Sequence, residues 1–334
     1  MSTSLAVKYR PKNFNECLGQ NVLIKILEKQ IETGTFSNCL IFSGPSGCGK
    51  TTLARIFANK VNNGLGEPIE IDAASNNSVD NVRMIVDSAI ERSLDSKYKI
   101  FILDEAHMIT TAGWNAFLKC IEEPPTYTLF IFCTTDPHKI PITISNRCQI
   151  FKINRVKVED IKNRLLYICN EEGFKALDGV DYISKISNGS LRQAISYLDK
   201  CKDYSTEITL NNAVECLGNY SYDVFFKLTN FIIDGDNVNV IECIEDLYNS
   251  GTDLSMFIDN YFSFVLQILK YIIFNNIELT TIPASLENDV KYVVNIDEPF
   301  NWFSSYLNKI LDIKKSIKFD NDMKTTIEVM LICK

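Results

Sequence analysis

Phe42-Ser43-Gly44-Pro45-Ser46-Gly47-Cys48-Gly49-Lys50-Thr51-Thr52 carries the spacing G-x-x-x-x-G-K-T between Gly44 and Thr51. An apolar run, Cys39–Phe42, leads into it, and Leu53, Ala54, Ile56, Phe57 and Ala58 follow at helical spacing. A strand passing through such a loop into a helix is the context that predicts a P-loop. The glycines let the backbone curl until successive N–H groups point at phosphate oxygens, and the helix N-terminus adds its positive end. Residues Gly44, Pro45, Ser46, Gly47, Cys48 and Gly49 would form the cradle, with Lys50, Thr51 and Thr52 opening the helix. Lys50 would reach the β- and γ-phosphates, and the Thr51 hydroxyl would complete a Mg²⁺ shell. The stretch implies a bound nucleoside triphosphate.

Working outward, apolar runs recur at Ile69–Ile71, Ile100–Leu103, Leu129–Cys133 and Ile150–Ile153, with helical patterns at Val79–Arg92 and Ala112–Ile121. Short apolar strands alternating with helices predict a parallel α/β sheet covered on both faces. Upstream, Val7–Phe14 reads as extended around Pro11. A helix is expected from Asn21, with Leu23, Ile24, Leu27 and Ile31 on one stripe and Gly34 at its end. From Val156 the strand signal disappears. Helices are expected at Val158–Glu171, Gly179–Ile186 and Leu191–Lys200, then at Tyr222–Ile233, Val238–Tyr248, Leu254–Phe274, Phe303–Ile317 and Asp322–Cys333. Pro283 and Pro299 read as loop markers. The expected division is 1–154 (α/β), 155–208 (helical) and 209–334 (helical).

The net charge of −8 argues against a chain that coats nucleic acid by bulk electrostatics. Any DNA contact must come from a local surface, or from several subunits presenting one each. Eleven cysteines are scattered without a C-x-x-C pair, and with His107 and His138 no metal cluster assembles by spacing. Reduced thiols of a cytoplasmic protein are expected. The polar N-terminus predicts no signal peptide. The Met256–Phe274 window is interrupted by Asp259, Asn260, Gln267 and Lys270, so a core helix is expected there and no membrane contact.

The run Ile100-Phe101-Ile102-Leu103-Asp104-Glu105 ends an apolar strand in two carboxylates. Parallel strands deliver their C-terminal residues to the ligand edge. There Asp104 suits the Mg²⁺ shell and Glu105 the activation of an attacking water. Taken alone, the same residues also fit a plain strand-to-turn boundary. Their place some fifty residues after a P-loop favours the catalytic pair. Strand Leu129–Cys133 ends in Thr134-Thr135-Asp136-Pro137, where a hydroxyl could bond the γ-phosphate or simply cap a polar turn.

Together, K-Y-R-P (Lys8–Pro11), G-P-S-G-C-G-K-T-T, I-D-A-A-S-N-N (Ile71–Asn77), L-D-E-A-H-M, F-L-K-C-I-E-E-P-P (Phe117–Pro125), T-T-D-P and N-R-C (Asn146–Cys148) resemble the clamp-loader AAA+ ATPases. Within that family the motifs resemble those of the gamma/tau subunits of bacterial DNA polymerase III, and more distantly those of the small subunits of replication factor C. The resemblance is dense from Lys8 to about Lys200 and continues as helix pattern beyond. It implies a P-loop AAA+ parallel-sheet module, a helical lid and an all-α C-terminal collar that assembles five subunits. It assigns Thr135 to the sensor on the fourth strand, with Thr134 as the near alternative, and Arg192 to a second sensor touching the γ-phosphate. A solvated helix position is the alternative for Arg192. Tyr9, Arg10 and Pro11 would border the adenine, and Arg147 would be a finger directed at the neighbouring subunit's ATP.

Three departures stand out: no zinc-binding cysteine insert lies between Lys60 and Ile69, Asn146 replaces the family's serine, and no tail is expected after the collar. They suggest a pared-down loader using ATP and Mg²⁺ without zinc. The expected function is an ATPase motor, stimulated by DNA and clamp, that loads a sliding clamp on primer–template DNA with other loader subunits. The alternatives are a related AAA+ helicase or recombination ATPase, and a non-hydrolysing stator. Intact Lys50, Thr51, Asp104 and Glu105 speak against the stator.

Overall fold

The computed structural model describes residues 3–218, 220–317 and 322–332. The chain opens with one helical turn, α1 (Leu5–Lys8), which takes in Val7 and Lys8 at the start of the stretch expected to be extended. The reason is local: Pro11 restricts only the residue before it, so residues 5–8 are free to coil. Helix α2 (Asn21–Thr33) buries Leu23, Ile24 and Leu27 and stops at Gly34, whose φ of +67° lies in the left-handed region.

There follow β1 (Cys39–Ser43), α3 (Lys50–Val61), β2 (Ile69–Asp72), α4 (Val79–Ile90), β3 (Lys99–Asp104), α5 (Thr111–Glu122), β4 (Thr128–Thr134), α6 (Ile142–Ser145) and β5 (Gln149–Lys152). The strands form one five-stranded sheet in the order β2-β3-β4-β1-β5. All its pairings are parallel. Successive side chains point to opposite faces of a strand. Leu40 and Phe42 of β1, with Ile100, Ile102, Leu129, Ile131 and Phe151, therefore pack under α2 and α3 against Leu27, Leu53 and Phe57. Cys39 and Ile41, with Phe101, Leu103, Phe130 and Phe132, meet Val82 and Ile85 of α4 and Trp114 and Phe117 of α5. Burial on both faces explains why β1 and β4 read as unbroken apolar runs rather than alternating ones. The order also places β4 between β1 and β3, so Thr134 ends up between the P-loop and the Asp104-Glu105 pair.

Beyond the sheet come α7 (Val158–Glu172), β6 (Lys175–Ala176), α8 (Asp178–Ile186), α9 (Leu191–Tyr204), β7 (Glu207–Ile208) and α10 (Leu210–Cys216). Next are α11 (Tyr222–Asp234), α12 (Asn237–Asn249), α13 (Leu254–Phe274), α14 (Glu287–Val293), α15 (Pro299–Ser316) and α16 (Met323–Ile332). Cys333, the expected end of the last helix, lies outside the described residues. Strand pairing does continue past Val156: β6 and β7 form a two-residue parallel ladder, too short to carry an apolar pattern. Pro299 does not mark a loop. It occupies the first turn of α15, where its missing N–H would have no partner in any case.

Two compact units emerge: Met1–Leu165 with Ser187–Asp199, and Leu166–Ile186 with Lys200–Lys334. The expected middle segment, 155–208, thus contributes to both. In the second unit, α13 buries Phe257, Ile258, Tyr261, Phe264, Val265 and Ile268 in a core shared with Phe303, Ile310 and Ile313 of α15. By length and composition alone, α13 is apolar enough to cross a membrane. Its Tyr261 hydroxyl instead satisfies a buried polar chain, 2.9 Å from the Thr229 hydroxyl and 3.1 Å from that of Tyr306.

Candidate active site

The loop leaving β1 packs closely, and its residue types follow from that packing. Gly44 runs against the backbone of β5's end, where a Cβ would overlap the Ile153 carbonyl oxygen. Gly47, at φ +71°, has no room for a Cβ beside Ser190 Oγ. Cys48 is buried and its thiol donates to the Gly189 carbonyl at 3.5 Å. Burial raises the Cys48 pKa, so this thiol is packing rather than chemistry. The Arg192 N–H points at the Gly47 carbonyl, 3.4 Å away. The start of α9 therefore rests on the P-loop.

Lys50 begins α3 and is only 6% exposed. Its ammonium donates to the Gly44 and Pro45 carbonyls, each at 3.0 Å. It is thus held inside the loop by weak neutral acceptors that a phosphate would outcompete. Thr51 Oγ1 donates to Asp104 Oδ2 at 2.7 Å, joining the P-loop helix to the end of β3. Asp104 Oδ1 accepts the Glu105 N–H at 3.0 Å. Among the described residues no group of three or more His, Cys, Asp or Glu could hold a metal ion. Mg²⁺ needs none here, because it takes one or two protein oxygens and completes its shell with phosphate and water. Thr51 and Asp104 fit that requirement.

Glu105 has φ 48° and ψ 42°, a left-handed conformation that costs a residue with a side chain about 1–2 kcal/mol. This turn reverses the chain at the ligand edge and sends the Glu105 carboxylate towards β4. Thr135 Oγ1 donates to Glu105 Oε2 at 3.3 Å. Thr134, fully buried, accepts the Asp136 N–H at 3.0 Å and lies 3.2 Å from His107 Nδ1. Of the two threonines, Thr135 therefore sits with the carboxylate and Thr134 anchors the turn behind it.

A cavity of about 280 Å³ brings most of these residues together, its walls including Tyr9, Arg10, Pro11, Lys50, Asp104 and Arg192. Ser46, Gly47, Cys48, Gly49, Thr51, Thr52 and Glu105 also line it. Gly44 and Pro45 do not, contributing instead the carbonyls that hold Lys50. The N-terminal wall is fixed by the Arg164 guanidinium, which donates to the Tyr9 carbonyl at 3.1 Å. Desolvation lowers the Arg10 pKa, reinforced by Arg55 and Arg192 and opposed by Glu70 and Asp104. The Arg10 charge thus lies among those of Arg55, Glu70, Asp104 and Arg192.

Arg147 is not in this cavity. It follows α6, donates from Nη1 to the Thr143 carbonyl at 2.6 Å, and places Nη2 2.7 Å from Glu122 Oε1 at the end of α5. Sequence reading gave no role to His107, although it lies inside the quoted L-D-E-A-H-M. Nor did it single out Gln20, the residue before the helix expected from Asn21. Gln20 is buried, lines the cavity and bonds the Asn154 backbone through both amide atoms. A glutamine just before a helix carries no signal for that.

A family model described as DNA polymerase III, delta subunit, matches residues 67–157. The DNA polymerase III subunit gamma of Buchnera aphidicola subsp. Schizaphis graminum is 30% identical across 98% of this chain and 96% of its own length. The subunit tau of Bacillus subtilis is 32% identical, covering 97% of this chain and 62% of the relative. The gamma/tau subunit of Mycoplasma genitalium is 33% identical, covering 81% and 50%. The chain thus spans only about half to three-fifths of the length of these last two. Among solved structures, the Thermotoga maritima RuvB Holliday junction branch migration motor aligns with a TM-score of 0.53, covering 67% of this chain and 79% of that one. At 21% identity the likeness is one of fold, and the fold is that of an AAA+ module. With a parallel P-loop sheet, a helical C-terminal region and a gamma subunit matched almost end to end, the chain belongs to the DNA polymerase III gamma/tau family.

Proposed function

We propose that this chain is an ATP-hydrolysing motor subunit of a sliding-clamp loader, which opens the clamp and places it on primer–template DNA. The observation that carries the reading is the Thr51–Asp104 bond beside Glu105, in a chain that spans 96% of a gamma subunit. A P-loop without the carboxylates would fit a nucleotide-binding stator; the complete set fits turnover.

Bound with the nucleotide, Mg²⁺ supplies charge neutralisation at the β- and γ-phosphates, and Thr51 and Asp104 are the residues to hold it. Lys50 would exchange its two carbonyls for phosphate oxygens. Tyr9, Pro11 and the wall around them would exclude water from the base, with Arg10 facing the phosphate end. Glu105 would orient the attacking water and take its proton, with Thr135 fixing the carboxylate as the sensor on β4. Arg192, at the start of α9, would report the γ-phosphate to the helices that follow.

The same reading divides the chain into an AAA+ module (1–154), a lid (155–208) and a collar (209–334) that assembles a pentameric loader in the cytoplasm. The other loader subunits, the clamp and primer–template DNA are its partners. Helices α4 and α5 start at capped ends, with Ser78 accepting from the Asn81 N–H and Thr110 from the Gly113 N–H. The N–H groups left over at these two starts would hold DNA phosphates without basic side chains.

Two variants test the assignment. Lys50→Ala should abolish triphosphate binding, whereas Glu105→Gln should bind normally and not turn over, because only the lysine contacts phosphate. Equal loss of nucleotide affinity in both would overturn the role given to Glu105.

A further inference from the structure

His107 lies one helical step beyond Glu105, on the short 3-10 turn Ala106–Met108. Its side chain is only 13% exposed, and its Nδ1 stands between two oxygens. Glu105 Oε2 is 3.4 Å away and Thr134 Oγ1 is 3.2 Å away. The Thr135 hydroxyl reaches the same Glu105 oxygen at 3.3 Å. Both groups thus converge on Oε2, and among the described residues Oε1 accepts no hydrogen bond.

We infer that His107 is a positioning residue for hydrolysis, which together with Thr135 fixes Glu105 Oε2 so that Oε1 is presented to the attacking water. The inference rests on Glu105 as the water-activating group of the proposed function and assigns its holder. Nδ1 must carry the ring hydrogen to act on Glu105. Thr134 is suited to that tautomer: its oxygen takes the Asp136 N–H on one lone pair and has a second to share the Nδ1–H with Glu105. The buried threonine on β4 thereby orients the imidazole, and the imidazole orients the carboxylate. The left-handed backbone at Glu105 makes such a holder necessary, because the turn alone leaves the side-chain torsions free. The Thr135 bond at 3.3 Å and the 3.4 Å approach of His107 Nδ1 to Glu105 Oε2 are both long, as catalytic contacts commonly are before substrate tightens them.

The test uses the full chain in the assembly in which it hydrolyses ATP, with His107→Leu, His107→Asn and Glu105→Gln, alone and combined. His107→Leu should lower kcat about 10–100-fold, as loss of a partner that orients a reacting group does. Nucleotide affinity should stay within about twofold, since no ground-state contact is removed. His107→Asn should recover most of the rate, because its Nδ2 can donate from near the Nδ1 position. In the Glu105→Gln background, where turnover is already blocked, adding His107→Leu should leave nucleotide affinity unchanged, because neither group contacts the bound nucleotide in the ground state. If His107→Leu fails to fold, His107→Gln against His107→Asn makes the same comparison, the longer amide overshooting Oε2. An unchanged kcat in His107→Leu, a parallel loss of affinity, or weakened nucleotide binding in the double variant would each overturn the inference. Normal turnover by Glu105→Gln would instead remove the reading on which it rests.

Discussion

The hydroxyl of Thr51, at the start of the P-loop helix, donates to Asp104 Oδ2 at 2.7 Å. The two groups expected to share Mg²⁺ are therefore already paired, across strands that are not neighbours in the sheet. Replacing either should reduce turnover at saturating ATP by about 10²-fold or more, the scale of losing one group that stabilises transition-state charge. Thr51→Val and Asp104→Asn should both also move the Mg²⁺ dependence of turnover to higher concentration. ATPase rates across a Mg²⁺ titration check this. Unaltered Mg²⁺ dependence in Asp104→Asn would remove Asp104 from the metal shell.

Gly44 is a stability position as well as part of the P-loop pattern. A Cβ there meets a backbone carbonyl, that of Ile153, which cannot rotate away as a side chain could. Gly44→Ala should therefore destabilise the sheet unit by about 1–3 kcal/mol, the range for overpacked sites. At Gly47 the obstacle is the Ser190 side chain, but the positive φ adds backbone strain that any other residue would carry. Thermal melts without nucleotide measure both. A Gly44→Ala protein as stable as the parent would mean that β5 shifts freely, contrary to its packing between β1 and solvent.

The sheet and the P-loop were legible because their signals are local: runs of apolar residues buried on both faces, then a glycine pattern with one purpose. The role of His107 was not, since it depends on the left-handed turn at Glu105 and on Thr134, nearly thirty residues away in sequence. The ion pair of Arg147 with Glu122 was equally hidden, because only the sheet order brings the end of α5 beside the segment before β5. In the second unit the periodicity gave the helices. It could not give β6 and β7, whose two residues each make no period. Nor did the prolines mark loops reliably, because a proline before a helix and one inside a loop look alike until the helix start is placed.

Four thiols, those of Cys17, Cys120, Cys169 and Cys201, should be silent at neutral pH. Burial lifts Cys120 and Cys169 to about 11, with Cys39 adding to the rise at Cys120. Burial also lifts Cys17 and Cys201 to about 12, helped by Glu16 and Cys216 respectively. At about pH 8 the thiolate fraction of such groups is about 10⁻³ to 10⁻⁴, against roughly a quarter for an ordinary cysteine. Native-state alkylation of these four should therefore be slow and rise about tenfold per pH unit. The sign for stability follows from folded values raised above unfolded ones. Their contribution is complete below the ordinary thiol range and is lost as pH climbs towards about 11–12. Mass-spectrometric alkylation rates read the first effect and alkaline melts the second; rapid labelling of Cys120 at neutral pH would contradict both.

Arg147 should act in trans. An arginine finger stabilises charge on the transferring phosphoryl group and contributes about 10³–10⁵-fold. It needs a rigid mount, and the structure supplies one: Glu122 Oε1 at 2.7 Å and the Thr143 carbonyl at 2.6 Å hold the guanidinium from two sides. The side chains of the pair are 40% and 46% exposed, so their attraction is worth only about 0–1 kcal/mol. A triphosphate from a neighbouring subunit would therefore meet an arginine that its own chain retains only weakly. The rival account is that Arg147 only stabilises its own chain through Glu122. On that account Glu122→Ala and Arg147→Ala should have equal effects on both melting temperature and ATPase rate. The trans account expects Arg147→Ala to lose orders of magnitude in rate while Glu122→Ala loses far less. Mixing decides further. Arg147→Ala chains and Lys50→Ala chains, each nearly inactive alone, should regain part of the activity when allowed to exchange subunits, because some sites then pair an intact P-loop with a neighbour's intact Arg147. Mixed assemblies that form yet stay at the level of the separate variants would return Arg147 to its own chain, with Glu122 and the Thr143 carbonyl as its partners.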